Sequence, residues 1–188
     1  MIEKFKKKIE KVKLEKIQTK HINMGWYDWV NRSDIVNVLN EPPYRYTKKQ
    51  LKKYIKNSNN KNTKMFAVID KKKNKYFGNI RLTNISKNNC FCNYGRLIGV
   101  KDYKKKGYGA IMLYKICEYA FNILKLNKVF TYVYTDNKDS ISSNKKFGMR
   151  KEGVLKNHFF KNGKFKDVII FSFFSKDFKI LEKKIKNL

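Results

Sequence analysis

The segment from Phe91 to Tyr134 does most to limit what this chain can become. A β-rich run, Phe91 to Val100, passes through Lys101-Asp-Tyr-Lys-Lys-Lys-Gly-Tyr-Gly109 into an apolar stretch, Ala110 to Leu124. Ile111, Leu113, Tyr114, Ile116, Cys117, Ala120, Phe121 and Leu124 give that stretch the spacing of a buried helix of about four turns. A second β-rich run, Val129 to Tyr134, follows directly. A strand, a long helix and a strand in that order form a crossover, and a crossover joins parallel strands.

The flanks predict the rest of an α/β domain. Lys11 to Ile17 reads as a first strand, and Met24 to Leu39 as one broken or two short helices carrying Trp26, Trp29, Val30, Ile35, Val36 and Leu39. Thr47 and Gln50 have capping-box spacing ahead of Leu51, Tyr54 and Ile55, so a short helix begins there. Met65 to Ile69, Tyr76 to Ile85 and Phe91 to Val100 read as consecutive antiparallel strands. Lys138 to Phe147 reads as a short helix. Val154 to Phe160 and Phe165 to Phe174 form a hairpin around Asn162-Gly163, a pair favoured by type I′ turns. The expected architecture is one domain over residues 1–188, with a core of about 11–175 and a basic C-terminal helix or tail over 176–188. A mixed, mostly antiparallel sheet would carry helices on both faces.

Composition narrows the function classes. With 45 Lys and Arg against 15 Asp and Glu, the net charge is +30. Such a field draws anions: nucleic acid, a membrane surface or a phosphorylated small molecule. The lysines run from Lys4 to Lys186 instead of forming one stripe, and no nucleic-acid-binding motif accompanies them. No apolar run is long enough to span a bilayer, and Met1 to Lys20 lacks the apolar core of a secretory signal, so no membrane insertion and a cytoplasmic location are expected. Cys90, Cys92 and Cys117 complete no zinc pattern, so no metal is expected and the thiols should be reduced.

The junction between the strand and the long helix is the candidate site. A helix N-terminus carries unpaired N–H groups and partial positive charge. Gly107 and Gly109 remove side chains that would keep a ligand from the backbone, and Lys104, Lys105 and Lys106 add charge. This suits a diphosphate. The phosphate-loop pattern fails for want of Lys-Ser/Thr after Gly109, and the dinucleotide fingerprint fails at Met112. A bare Gly-Tyr-Gly also occurs in ordinary strand–helix connections.

Arg96-Leu97-Ile98-Gly99-Val100, the loop Lys104 to Gly109 and the helix after it resemble the acetyl-CoA site of the GCN5-related N-acetyltransferase (GNAT) superfamily. Asn137 to Ser140, Phe147-Gly148-Met149, Glu152-Gly153-Val154-Leu155 and Lys161 to Lys164 continue the likeness, in the style of the ribosomal-protein-alanine and aminosugar acetyltransferase branch. It covers Met65 to Ser175 well and Lys11 to Asn57 loosely. The resemblance implies a gap between two splayed central strands that takes the pantetheine arm on main chain of Ile98, Gly99 and Val100. Lys104, Lys105, Lys106, Gly107, Tyr108, Gly109 and Ala110 would hold the diphosphate, and Asn137, with Ser140 beside it, the pantetheine. A main-chain N–H near Val100 would polarise the thioester carbonyl, and an amine would attack directly.

The sequence departs from the family at three places. Lys104 stands where Arg or Gln is usual, Asn144 where many members have a tyrosine acid, and no carboxylate lies on Cys92-Asn-Tyr-Gly-Arg96. Tyr94 and His158 are the remaining candidates for acid–base work. The expected reaction is acetyl transfer from acetyl-CoA to a primary amine, first of a nucleotide-activated amino sugar in polysaccharide biosynthesis. The alternatives are a ribosomal protein N-terminus, a polyamine, or, from another class, a basic nucleic-acid-binding module without catalysis. A homodimer is compatible with the sequence.

Overall fold

The computed structural model describes residues 2–37 and 45–187. Leu39, assigned above to a helix, lies outside them. Among the described residues the strands form a single seven-stranded sheet in the order β1-β2-β3-β4-β5-β7-β6. They are β1 (Val12–Lys16), β2 (Lys64–Asp70), β3 (Lys75–Ser86), β4 (Phe91–Ile98), β5 (Lys128–Tyr134), β6 (Arg150–Lys161) and β7 (Lys164–Phe174). Every pairing is antiparallel except β4 with β5, the pair demanded by the crossover.

Two apolar layers sandwich the sheet. On one face lie α1 (Ile2–Glu10), α5 (Tyr108–Glu118, continued by a π-turn over Tyr119–Ile123) and α7 (Ser175–Lys186), with Ile9, Ile111, Ile116, Phe121, Phe178 and Ile185 buried over the strands. On the other lie α2 (Tyr27–Asn31), α3 (Ser33–Val36) and α4 (Lys48–Asn57), packed through Trp29, Ile35 and Leu51 onto Met65, Ala67 and Ile69. The period-2 alternation of β2 explains the split: Phe66 and Val68 serve the first layer, their neighbours the second. α6 (Lys138–Phe147) begins directly after β5.

Local chemistry behaves as expected at several points. The capping box closes both ways, Thr47 N donating to Gln50 Oε1 at 2.7 Å and Gln50 N to Thr47 Oγ1 at 3.2 Å. Asn162 and Gly163 have φ of 52° and 74°, as a type I′ turn requires. The C-terminal segment is helix, anchored by buried Phe178 and Ile185. The N-terminal helix was not expected. Its apolar side is thin, and it exists because Phe5 meets Tyr114 edge-on at 6.0 Å and Ile9 is buried.

Candidate functional site

β4 and β5 pair only from Phe91 to Asn93 against Lys128 to Phe130, and then part. The hydrogen-bonding alternation on β4 follows from Gly99 N donating to Phe77 O at 2.9 Å. Counting in twos, Leu97, Gly95 and Asn93 bond β3. The main-chain groups of Tyr94, Arg96 and Ile98 therefore face the side that β5 vacates. An open cleft occupies the parting. Trp26, Tyr54, Asn79 and Arg81 line it from one side; Asn137, at the cap of α6, and Ser140 and Asn144 within it line it from another. Arg81 is hydrogen-bonded to the Tyr54 hydroxyl.

In front of the gap, the chain runs from a 3-10 turn, Lys101–Tyr103, into the lysine loop. Tyr103 fixes this turn: its ring stacks on Phe77 at 4.2 Å, and its hydroxyl donates to the buried carboxylate of Asp70 at 2.9 Å. Gly107 caps α5 with φ 83°, a left-handed conformation that favours glycine. The backbone amides of Lys105 through Gly109 reach no backbone carbonyl among the described residues; bonding resumes with Ala110 N to Gly107 O at 3.1 Å. Five amides and the exposed Lys105 and Lys106 thus gather at a helix N-terminus. Gly109 serves packing, because a Cβ there would lie 3.3 Å from Ser143 Oγ of α6.

A further lysine arrives from outside the stretch that sequence reasoning marked. Lys8, near the end of α1, donates to Lys106 O at 2.7 Å and sits over the Tyr108 ring at 5.3 Å. Missing α1 meant missing Lys8. The i, i+3/i+4 spacing of Ile2, Phe5 and Ile9 was the only available signal.

Several expected ligands are otherwise engaged. Gly99 and Val100 both donate their amides to Phe77 O, at 2.9 and 3.3 Å, so Val100 has no free N–H to polarise a carbonyl. Val100 lies past the last β4 residue and turns back toward β3, so the gap-facing amides are those of β4 itself. The Gly99 carbonyl accepts from Arg32 Nη1 at 3.1 Å. Its missing side chain makes room for Trp29, whose Cδ2 would lie 1.8 Å from a Cβ. Lys104 Nζ is bonded to Asp34 Oδ2 at 2.9 Å. Arg32 first, and Lys104 second, hold the Asp34 carboxyl well below the usual carboxylate range.

The acid–base candidates separate. Tyr94 is buried, its hydroxyl donating to Asn144 Oδ1 at 2.8 Å, and burial raises its pKa. Arg96 Nη2 donates to the same oxygen at 2.9 Å while Nη1 donates to Gly109 O at 3.0 Å, stitching β4 to α6 and α5. His158 stands exposed on β6 and is not part of the cleft lining; it approaches only through the ring of Tyr132, 5.5 Å away. Asn137 caps α6, its side-chain oxygen accepting from Ser140 N at 3.1 Å. Burial pushes the Cys92 thiol up to about 12, leaving it a poor nucleophile at neutral pH. Among the described residues no cluster of His, Cys, Asp and Glu could hold a metal ion, and no helix is long and apolar enough to cross a membrane.

Comparison with known proteins bears on this site. The Acetyltransferase (GNAT) domain family matches residues 11–150. Spermidine N(1)-acetyltransferase of Vibrio cholerae is 26% identical over 138 residues, 73% of this chain and 79% of that protein. An uncharacterised N-acetyltransferase of Bacillus subtilis, YoaA, is 30% identical over 73 residues, 39% of this chain and 41% of that one. The crystal structure of spermidine N-acetyltransferase from Vibrio cholerae in complex with CoA and spermine superposes with a TM-score of 0.82 at 21% identity, covering 90% of this chain and 99% of that one. At that identity the likeness speaks to fold.

Proposed function

The chain belongs to the GNAT acetyltransferase domain family and is an acetyl-CoA-dependent N-acetyltransferase; from that premise we propose that, as a single domain, it acetylates a primary amine of a linear polyamine. The observation that carries the site reading is the parting of β4 from β5 in front of a loop with five unbonded amides. In this reading the loop amides, Lys105 and Lys106 take the diphosphate. Main chain of Arg96 and Ile98 pairs with the pantetheine, and one of their amides polarises the thioester carbonyl. Asn137 and Ser140 border the arm. The amine attacks from the Trp26 and Tyr54 side. Holding the two reactants face to face removes an entropic barrier of roughly 7–11 kcal/mol.

The acceptor is chosen on the relatives, among which the spermidine enzymes displace the amino sugar favoured by sequence wording alone. The aromatic lining from Trp26, Tyr54, Tyr132 and Tyr134 suits a chain of methylenes and ammonium groups, because rings accept both. The +30 field opposes a polycation at long range, so recognition rests on short contacts and should improve with added salt.

The test is free-thiol release from acetyl-CoA with spermidine, spermine, a nucleotide-linked amino sugar and an alanine-ended peptide. Spermidine or spermine should give the highest kcat/KM by at least about tenfold, near 1.4 kcal/mol. A preference for the sugar or the peptide overturns the acceptor; no thiol release with any of them, together with no acetyl-CoA binding, overturns the site.

A further inference from the structure

We propose that α1 is a clamp closed by CoA: the Lys8 ammonium bonds the diphosphate, and that bond locks the helix onto α5. α1 precedes residues 11–150, the span that matches the GNAT family. Its Lys8 is placed over the middle of the loop. Nζ donates to Lys106 O at 2.7 Å, stands 5.3 Å from the Tyr108 ring centroid and lies 3.9 Å from where a Gly107 Cβ would project. Among the described residues no other atom beyond the chain neighbours comes within 4 Å of that point. The unbonded amides run from Lys105 to Gly109, so the ammonium sits over their midpoint.

That ammonium has donors to spare. It carries three, and Lys106 O takes one. Neither Lys8 nor the exposed Lys105 and Lys106 has a carboxylate partner among the described residues, whereas Lys104 is held by Asp34. α1 thus returns to the loop the charge that Asp34 withdraws from it. The helix is also easily shifted. Nine residues are too few for a stable helix alone, and α1 is held by Phe5 against Tyr114 and by buried Ile9. Without an anion, three uncompensated ammoniums at one loop repel one another, which works against docking. A diphosphate on the loop amides bonds the spare Lys8 donors and replaces that repulsion with attraction. By linkage, whatever CoA adds to the docking of α1, docked α1 adds to the affinity for CoA.

This rests on the acetyl-CoA reading of the loop, and the readouts keep the two apart. Hydrogen exchange at the Lys6 to Glu10 amides of α1 should slow by at least about tenfold when the wild type is saturated with CoA. Pantetheine, which lacks the diphosphate, should leave those rates within about twofold of the free protein. Lys8→Met keeps a helix former and most of the alkyl stem. It should weaken CoA binding by about fivefold in calorimetry and abolish the added protection at saturation. Lys8→Arg, which keeps the cation, should restore both to within about twofold. Phe5→Ala loosens α1 without touching the loop and should also weaken CoA binding by about fivefold. Saturable CoA binding with unchanged exchange in α1 overturns the proposal and leaves the loop reading standing. So does an affinity within about 1.5-fold of wild type in either Lys8→Met or Phe5→Ala. A wild type that binds no CoA overturns the loop reading itself, and the clamp with it.

Discussion

Substituting Gly99 by alanine tests whether that glycine serves a ligand or the fold. A Cβ there would lie 1.8 Å from Trp29 Cδ2 and 2.2 Å from Cε3, whereas ordinary contacts are 3.4–4 Å. The indole must therefore retreat by roughly 2 Å, far up the repulsive wall. Its ring already packs 4.6 Å from that of Tyr76, which limits the retreat. Overpacking costs about 1–3 kcal/mol, and a wedge driven to 1.8 Å against a buried indole belongs at the upper end. A loss of about 3 kcal/mol lowers the melting temperature of a chain this size by roughly 6–12 °C. Thermal and urea melts of Gly99→Ala read this directly. The cost of Gly99→Ala should shrink by at least about 1 kcal/mol in a Trp29→Leu background, because the two residues share one space. A Gly99→Ala protein that melts within about 2 °C of wild type but binds acetyl-CoA poorly would refute the packing argument and return the glycine to the ligand.

Lys8→Ala should raise KM for acetyl-CoA by roughly fivefold with kcat unchanged, the value of one ammonium near a phosphate at a partly solvated site. S-acetylpantetheine, which lacks the diphosphate, should show no such change; equal losses for both donors would mean that Lys8 only braces the loop. Gly107→Glu, which puts a carboxylate on a left-handed residue at the loop, should abolish measurable CoA binding by calorimetry, and unchanged affinity would reject the loop as the phosphate site. The His21 ring is fully buried, and burial lowers its pKa below 6.5. The unfolded chain then takes up the proton first, so stability is intact above pH 6.5 and falls as pH drops below it, by at most about 1.4 kcal/mol per pH unit. Melts between pH 7.5 and 5 should show this slope in wild type and its loss in His21→Gln; parallel profiles would contradict it.

Local codes in the sequence were legible because they are satisfied locally. Thr47 with Gln50 and Asn162 with Gly163 specify a cap and a turn through residues at most three apart. The crossover was legible because one long apolar helix between two strands leaves few topologies. Contacts that join distant residues were not. Arg32, Asp34, Gly99 and Lys104 form one hydrogen-bonded group across separations of 67 and 70 residues, and nothing in the lysine loop reveals that Lys104 is already paired. Val100 was misjudged for a related reason: which amides face the gap depends on strand register, and a shift of one residue reverses it. How Asn144 is held was hidden for the same reason: Arg96 and Tyr94, about 50 positions away, both donate to its side-chain oxygen.

The most direct measurement is an amide-resolved NMR titration with CoA. The account predicts the largest shift changes and exchange protection at the amides of Arg96, Ile98 and Lys105 through Gly109, where the backbone is unbonded. Saturable binding that leaves those seven amides untouched and perturbs another surface, such as the lysines of α1 and α7, would contradict it.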